Sequence, residues 1–330
     1  MKPKVLPAVV LSLSVFVGGH AQAQSTANYP ERPVRLIVPF APGGASDFVA
    51  RIIQPKLSEE LGQQVVADNR AGAAGNIGVE LAARSAPDGY TVLLGNVGTM
   101  AINPSVFPKF PIKPLRDLTG VTLIVDLPGA MGVHPSIPAA TVKEFIEYAK
   151  ARPGQLSYGS TGASSAQRLA FEFFMSKAGI KLLHVPYKGG AGPATTAVLA
   201  GEVAATMVTT ASFVPHVKSG RIKVLAVIAP KRVSALPDVP TMVESGFPEL
   251  TLGSWQGVFV PAGTPRPIVK RLYTAVTRTM EDAEVLKRLG TASAQVTISK
   301  SPEEFAVFLK NQNEFWAKIA KDVGASAEQQ

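Results

Sequence analysis

Pro39-Phe40-Ala41-Pro42-Gly43-Gly44-Ala45-Ser46-Asp47 (PFAPGGASD) stands between a short apolar run, Val34 to Val38, and a stretch of helical spacing from Phe48 to Leu57. A buried strand here feeds a glycine turn, and both glycines are expected to be free to take positive φ. The helix that follows presents backbone N–H groups at Ser46 and Asp47 that have no partner inside the helix. Aligned peptide dipoles add partial positive charge at that end, so the stretch is suited to a carboxylate or a phosphate. The same residues also suit an ordinary strand-to-helix turn with Ser46 as N-cap and Asp47 as a capping carboxylate. Gly44→Val is expected to block an anion at this turn and to resist its backbone conformation.

Downstream, Gln64 to Asp68 reads as a second strand and Asn69 to Gly78 (NRAGAAGNIG) as a second glycine turn entering a helix, Ile77 to Ala83. Its spacing is G-x-x-G-x-x-G and no acid follows at the next strand end, which argues against a dinucleotide site. Tyr90 to Leu94 is a third strand, ending in Gly95-Asn96-Val97-Gly98-Thr99. Three strand, turn and helix units in succession imply parallel strands, with ligands gathering beyond their carboxyl ends, where Gly43, Gly44, Asn96 and Thr99 are expected.

After the strand Val121 to Val125, the run Asp126-Leu127-Pro128-Gly129 marks a crossing to a second domain. Thr141 and Glu144 form a capping box for a helix to about Ala151. The strand Leu156 to Thr161 then leads through Gly162-Ala163-Ser164-Ser165 into the helix Ala166 to Lys177, repeating the Gly44-Ala45-Ser46 order. A third entrance of small residues, Gly189-Gly190-Ala191-Gly192, follows the strand Lys181 to Tyr187. Its helix is expected from Ala194, with Pro193 at the first helical position. Strands at Val203 to Val208 and Ile222 to Ile228 close this domain, and Gly257 to Val260 returns to the first. A helix after Thr264-Pro265 and another after the capping box Ser301-Pro302-Glu303-Glu304 complete the chain, the last burying Phe305, Phe308, Leu309, Gln312, Trp316 and Ile319. The expected division is 24–124 with 251–330 for domain one and 125–250 for domain two.

The first 23 residues carry Lys2 and Lys4, an apolar segment Val5 to Gly18, and Ala21-Gln22-Ala23, the layout of a cleaved export signal. Its removal would take the chain from 33 basic against 24 acidic residues (+9) to 31 against 24, or +7. No cysteine occurs, so disulfides, thiolate nucleophiles and cysteine ligands are excluded, as is a lipoprotein anchor. The basic excess is dispersed, unlike a nucleic-acid arm, and no later stretch is long and apolar enough to span a bilayer. His134, His184 and His216 show no ligand-like spacing, so no metal is expected, and no cofactor. Neither a nucleophile elbow nor a P-loop is present, which leaves catalysis little to rest on.

Tyr29-Pro30, PFAPGGASD, Asn69-Arg70, Pro87-Asp88-Gly89-Tyr90, Pro186-Tyr187-Lys188-Gly189, Leu236-Pro237-Asp238-Val239-Pro240-Thr241 and Pro261-Ala262-Gly263-Thr264-Pro265 together resemble the Bug (TctC-type) extracytoplasmic binding receptors. The resemblance implies an α/β, two-domain periplasmic binding protein of Venus-flytrap form, each domain a mixed sheet flanked by helices. It implies a monomer in the periplasm that takes a small organic carboxylate in its cleft and delivers it to membrane transporter subunits. The ligand-contact set expected in domain one is Phe40, Gly43, Gly44, Ala45, Ser46, Asp47, Asn96 and Thr99. In domain two it is Ser160, Thr161, Ala163, Ser164, Arg168, Tyr187, Gly189, Gly190, Ala191 and Gly192. Relative to the family pattern, Arg168 replaces a common histidine, and Ala197 and Ala204 replace frequent aspartates. A guanidinium gained and two acids lost favour a dicarboxylate, and the small residues at 197 and 204 favour an aromatic one such as terephthalate. Arg168 also has a structural reading, an i,i+4 pair with Glu172. Two other functions fit the same chain: a ligand-dependent partner of a membrane sensor kinase, and a periplasmic hydrolase.

Overall fold

The computed structural model describes residues 28–107, 109–162, 165–187, 191–251 and 253–324; the proposed export signal lies outside them. The first stretch of chain runs β1 (Val34–Val38), α1 (Ala45–Leu61), β2 (Val65–Asn69), α2 (Asn76–Ala83), β3 (Thr91–Asn96), α3 (Asn103–Val106), α4 (Pro114–Asp117) and β4 (Leu118–Leu127). The second runs β5 (Gly129–Val133), α5 (Val142–Lys150), β6 (Ser157–Ser160), α6 (Ala166–Ala178), β7 (Leu183–Pro186), α7 (Ala191–Ala200), β8 (Ala205–Thr209), α8 (Val214–Val217) and β9 (Lys223–Ile228). The third is β10 (Ser254–Pro261), α9 (Arg266–Glu281), α10 (Ala283–Gly290), β11 (Gln295–Val296) and α11 (Pro302–Asp322).

These strands build two sheets, in the orders β11-β4-β10-β3-β1-β2 and β7-β6-β8-β5-β9. The parallel arrangement expected for the first three strands holds, since β1 pairs in parallel with both β2 and β3. Antiparallel β10 and β4 then extend it into a mixed sheet. The second sheet repeats the scheme: β6 lies between β7 and β8, all parallel, and antiparallel β5 follows. In both sheets the strand that comes first in the parallel trio sits at its centre. One connecting helix therefore goes to each side, and the carboxyl end of the central strand becomes a topological switch point.

Apolar alternation gives each sheet two buried faces. One face of the first sheet packs Val34, Leu36, Val38, Val92 and Leu94 against α1 and α9. Its other face, and the α6 face of the second sheet, share a continuous core running from Trp255 and Phe305 to Phe171 and Phe174. The last helix keeps its expected stripe, except that Phe308 is only partly buried. Gln312 belongs in that stripe because its Oε1 accepts both indole N–H groups, from Trp255 at 2.9 Å and from Trp316 at 3.2 Å. Both capping boxes form: Thr141 Oγ1 accepts the Glu144 amide and Ser301 Oγ accepts the Glu304 amide. The α7 helix begins three residues earlier than expected, at Ala191, so Pro193 stands in its first turn and not at its first position.

Candidate ligand-binding site

The PFAPGGASD loop leaves the carboxyl end of β1 with Pro39 buried and residues 41 to 45 exposed. Only Gly43 has positive φ (84°); Gly44, the N-cap of α1, has φ −82° and ψ 173°, ordinary extended backbone. The expectation that Gly44 itself needs left-handed geometry is therefore corrected, and so is Ser46 as N-cap, because the helix starts one residue before it. No side chain caps α1. Asp47 reaches back instead: its Oδ2 accepts the Gly43 amide at 2.9 Å, while Oδ1 accepts Asn69 Nδ2 at 3.0 Å and Arg51 Nε at 3.2 Å. Burial alone would raise the Asp47 pKa, but the Gly43 amide, Asn69 and Arg51 outweigh it and hold the carboxyl below its usual range. Asp47 is thus an ionised brace for the glycine turn, and the start of α1 has no side-chain cap and is entered from the small, exposed residues 43 to 45, with Ser46 and Asp47 themselves buried.

The second glycine turn lies directly beneath this loop. A Cβ on Gly78 would stand 2.8 Å from Pro39 Cα, and one on Gly75 would stand 2.6 Å from Thr99 Cγ2 and 3.1 Å from Phe40 Cζ. Close approach between two loops accounts for that glycine spacing. At the end of β3, the Thr99 amide donates to Asn96 Oδ1 and the Thr99 hydroxyl accepts the Asn96 amide, each at 3.0 Å. Asn96 Nδ2 then reaches Ser46 Oγ at 3.4 Å. The fold thus brings Phe40, Gly43 to Asp47, Asn96 and Thr99 together, with Thr99 wholly buried as a support of the loop.

Across the second sheet, Ser160 ends the central strand β6, and Gly162 follows at φ 131°. Ser160 Oγ donates to the Gly162 carbonyl at 3.1 Å and lies 2.7 Å from His184 Nε2. Thr161 Oγ1 donates to Gln167 Oε1. Unlike α1, α6 is capped, because Ser165 Oγ accepts the Arg168 amide at 3.2 Å. The Arg168 side chain is 17% exposed, with Nε 3.7 Å from Glu172 Oε1, the i,i+4 pair foreseen as its structural reading. Tyr158 donates to the same Glu172 oxygen at 2.5 Å and stacks between Phe171 and His184. Burial pushes the His184 pKa down, and the neighbouring Arg168 charge pushes it further.

Ala191 and Gly192 open α7, and a Cβ on Gly192 would meet nothing within 4 Å. Tyr187 departs from this group: its ring lies against Gly159 and its hydroxyl reaches Glu202 at 3.3 Å, at the opposite end of the strands. Ala163, Ser164, Gly189 and Gly190 lie outside the described residues. Ala197 is buried in the core under α7, and Ala204 precedes the amino end of β8, so neither stands at the carboxyl ends. Sequence reasoning passed over Asn69 as a brace. It also passed over the turn after β8, where Thr209 and Ser212 hydroxyls meet at 3.1 Å and Thr210 holds the Pro128 carbonyl. Hydroxyl and amide side chains carry no periodic signal, so only strand order exposes them.

The two sheets thus present matching switch points, one of them at a helix start that no side chain caps. The model described as "Tripartite tricarboxylate transporter family receptor" matches residues 49–325. The chain belongs to this family. Family members are receptors, and not enzymes, with the two-domain fold of periplasmic binding proteins. Protein BugT of Bordetella pertussis is 34% identical over 317 residues, covering 96% of this chain and 97% of BugT. Among solved structures, periplasmic binding protein BugD is 34% identical with a TM-score of 0.78, covering 90% of this chain and 99% of BugD. Rpa4515 of R. palustris, solved with adipate, is 34% identical (TM-score 0.81, 90% and 99% covered). MatC of Rhodopseudomonas palustris, solved with malate, is 31% identical (TM-score 0.78, 88% and 99% covered). No helix among the described residues is long and apolar enough to cross a membrane.

Proposed function

We propose that this receptor captures a small dicarboxylate in the periplasm, between domain one (24–124 with 251–330) and domain two (125–250). As a monomer, it then passes the ligand to membrane transporter subunits. The observation that carries the reading is the duplicated switch point. One lobe offers the uncapped start of α1, an amide surface complementary to a carboxylate, and the other offers the ends of β6 and β7 with Arg168 beside them. Two such places, one per lobe, suit a ligand with a negative group at each end, and the relatives solved with malate and adipate each hold a dicarboxylate.

The aromatic preference expected from Ala197 and Ala204 lacks support from their positions, so terephthalate enters as one arm of the test. Calorimetry with malate, adipate and terephthalate, each against its matched monoacid, decides the matter. The diacids are expected to bind at least tenfold more tightly. Monoacids binding equally well would overturn two-ended recognition. Arg168→Ala is expected to weaken diacid binding by one to two orders of magnitude, in line with about 1.5–3 kcal/mol for a charge-assisted hydrogen bond, and to leave monoacid binding nearly unchanged.

A further inference from the structure

The chain passes between the two sheets twice, at Leu127-Pro128-Gly129 and again just before Ser254, and the two crossings touch backbone to backbone. A Cβ on Gly253 would stand 2.1 Å from the Leu127 carbonyl oxygen, so no other residue fits that seam undisturbed. Thr210, from the second lobe, fastens the first crossing by donating its amide at 2.8 Å and its hydroxyl at 3.0 Å to the Pro128 carbonyl. Between the crossings lies Asp126, 6% exposed. Its Oδ2 accepts the Gly253 amide at 3.3 Å, and its Oδ1 is buried without a hydrogen-bond partner.

Among the described residues no ion pair reaches this acid. Its neighbours on β10 and β11 are Trp255 and Gln295. Three helices pack on β4: α9 directs Arg271 to the Glu60 carbonyl and Arg278 to the Glu60 carboxylate, α11 pairs Lys310 with Glu314, and α4 pairs Arg116 with Asp117. Burial pushes the Asp126 carboxyl up to about 7, against a smaller lowering by the Gly253 and Leu127 amides. A buried carboxylate with an unmatched oxygen is costly, whereas the neutral acid fits the same place.

We propose that Asp126 makes the junction of the two crossings a proton-operated hinge, in which the neutral acid holds the lobes in the arrangement seen here and ionisation loosens the seam. The inference rests on the reading that the lobes move about these crossings to take a ligand. A protein in the periplasm meets the pH of its surroundings, so such a hinge would tie ligand capture to external pH.

The test uses the unliganded chain and is therefore independent of which ligand is bound. Because the protein has no cysteine, spin labels placed by Ala71→Cys in one lobe and Ser219→Cys in the other report a single interlobe distance. Both positions are exposed. Between pH 5 and pH 9 the distance distribution is expected to change with a midpoint near 7, and Asp126→Asn is expected to hold the acid-side distribution throughout. A wild-type distribution that stays constant over this range overturns the proposal, whether or not the variant folds. So does a shift that persists in Asp126→Asn. A melting temperature that follows pH without any change in distance also overturns it, because Asp126 is then only a buried acid.

Discussion

Gly43 and Gly44 are adjacent and chemically identical, yet the turn uses them differently. Gly43 supplies the left-handed conformation, and a β-branched residue there would carry backbone strain of about 1–3 kcal/mol. Gly44 sits in extended backbone, and its missing Cβ would meet only the Ala41 carbonyl oxygen at 3.6 Å, an ordinary contact. In the proposed site, what Gly44 contributes is an open approach to the α1 amides. Gly43→Val is accordingly expected to lower the melting temperature through backbone strain, whereas Gly44→Val should cost about 1 kcal/mol or less, the exchange of a tolerated N-cap residue for a poor one, and still abolish diacid binding. Paired thermal melts and calorimetry read both effects. Gly44→Val binding with unchanged affinity would remove this helix start from the site. Asp47 shows the same division between shape and contact, since its carboxylate braces Gly43, Asn69 and Arg51 and those partners hold it below its usual pKa, which makes it a weak base.

At the level of elements, the first sheet depends on β10. It lies between β3 and β4 although it follows them by more than a hundred residues, and its amino end carries the Gly253 seam. Gly253→Ala is expected to separate the crossings and cost about 1–3 kcal/mol of overpacking, measurable by urea titration. Wild-type stability in that variant would mean that the seam yields freely. The strands flanked by glycine turns were legible in the sequence because an apolar run followed by Gly-Gly or Gly-Ala-Ser has few alternatives, and the capping boxes were legible because the Thr/Ser hydroxyl accepts the amide of the Glu three residues on, while that Glu reaches back to the amide just before the cap, Ala140 in one box and Lys300 in the other. The strand β5 was not, since Gly129–Val133 contains two glycines and reads as a loop; it becomes a strand only because β8 and β9 pair with it on either side. The same holds for the site. Its helix mouths show in local composition, whereas the bracing by Asn69, Asn96 and Thr210 depends on which loops the strand order brings together.

The molecule as a whole carries acids shifted in opposite senses. Asp126 is raised, so its stabilising contribution is complete below the unfolded pKa of 3.8 and is lost as pH rises towards about 7. Asp47 and Asp68 are lowered: burial opposes it, but hydrogen bonds and arginines prevail, so their contribution is present above 3.8 and lost as pH falls through their folded values. Melting temperature is therefore expected to peak at mildly acidic pH, and Asp126→Asn should flatten the alkaline side while leaving the acid side unchanged. A wild-type profile flat from pH 5 to 8 would contradict the burial of Asp126. The strand order also dictates a schedule for folding. Everything needed for the second sheet lies within residues 129–228, but β3 and β4 do not hydrogen-bond to each other and are joined only through β10, which lies between them. A nascent chain can therefore complete its middle before its beginning, and the amino-terminal third must wait for the last quarter of the protein. A fragment of residues 128–250 is expected to unfold cooperatively by circular dichroism, and one ending at residue 251 to expose the apolar face of its unfinished first lobe to a hydrophobic dye. Cooperative folding of both halves in that truncated chain would show that β10 arrives at a sheet already made.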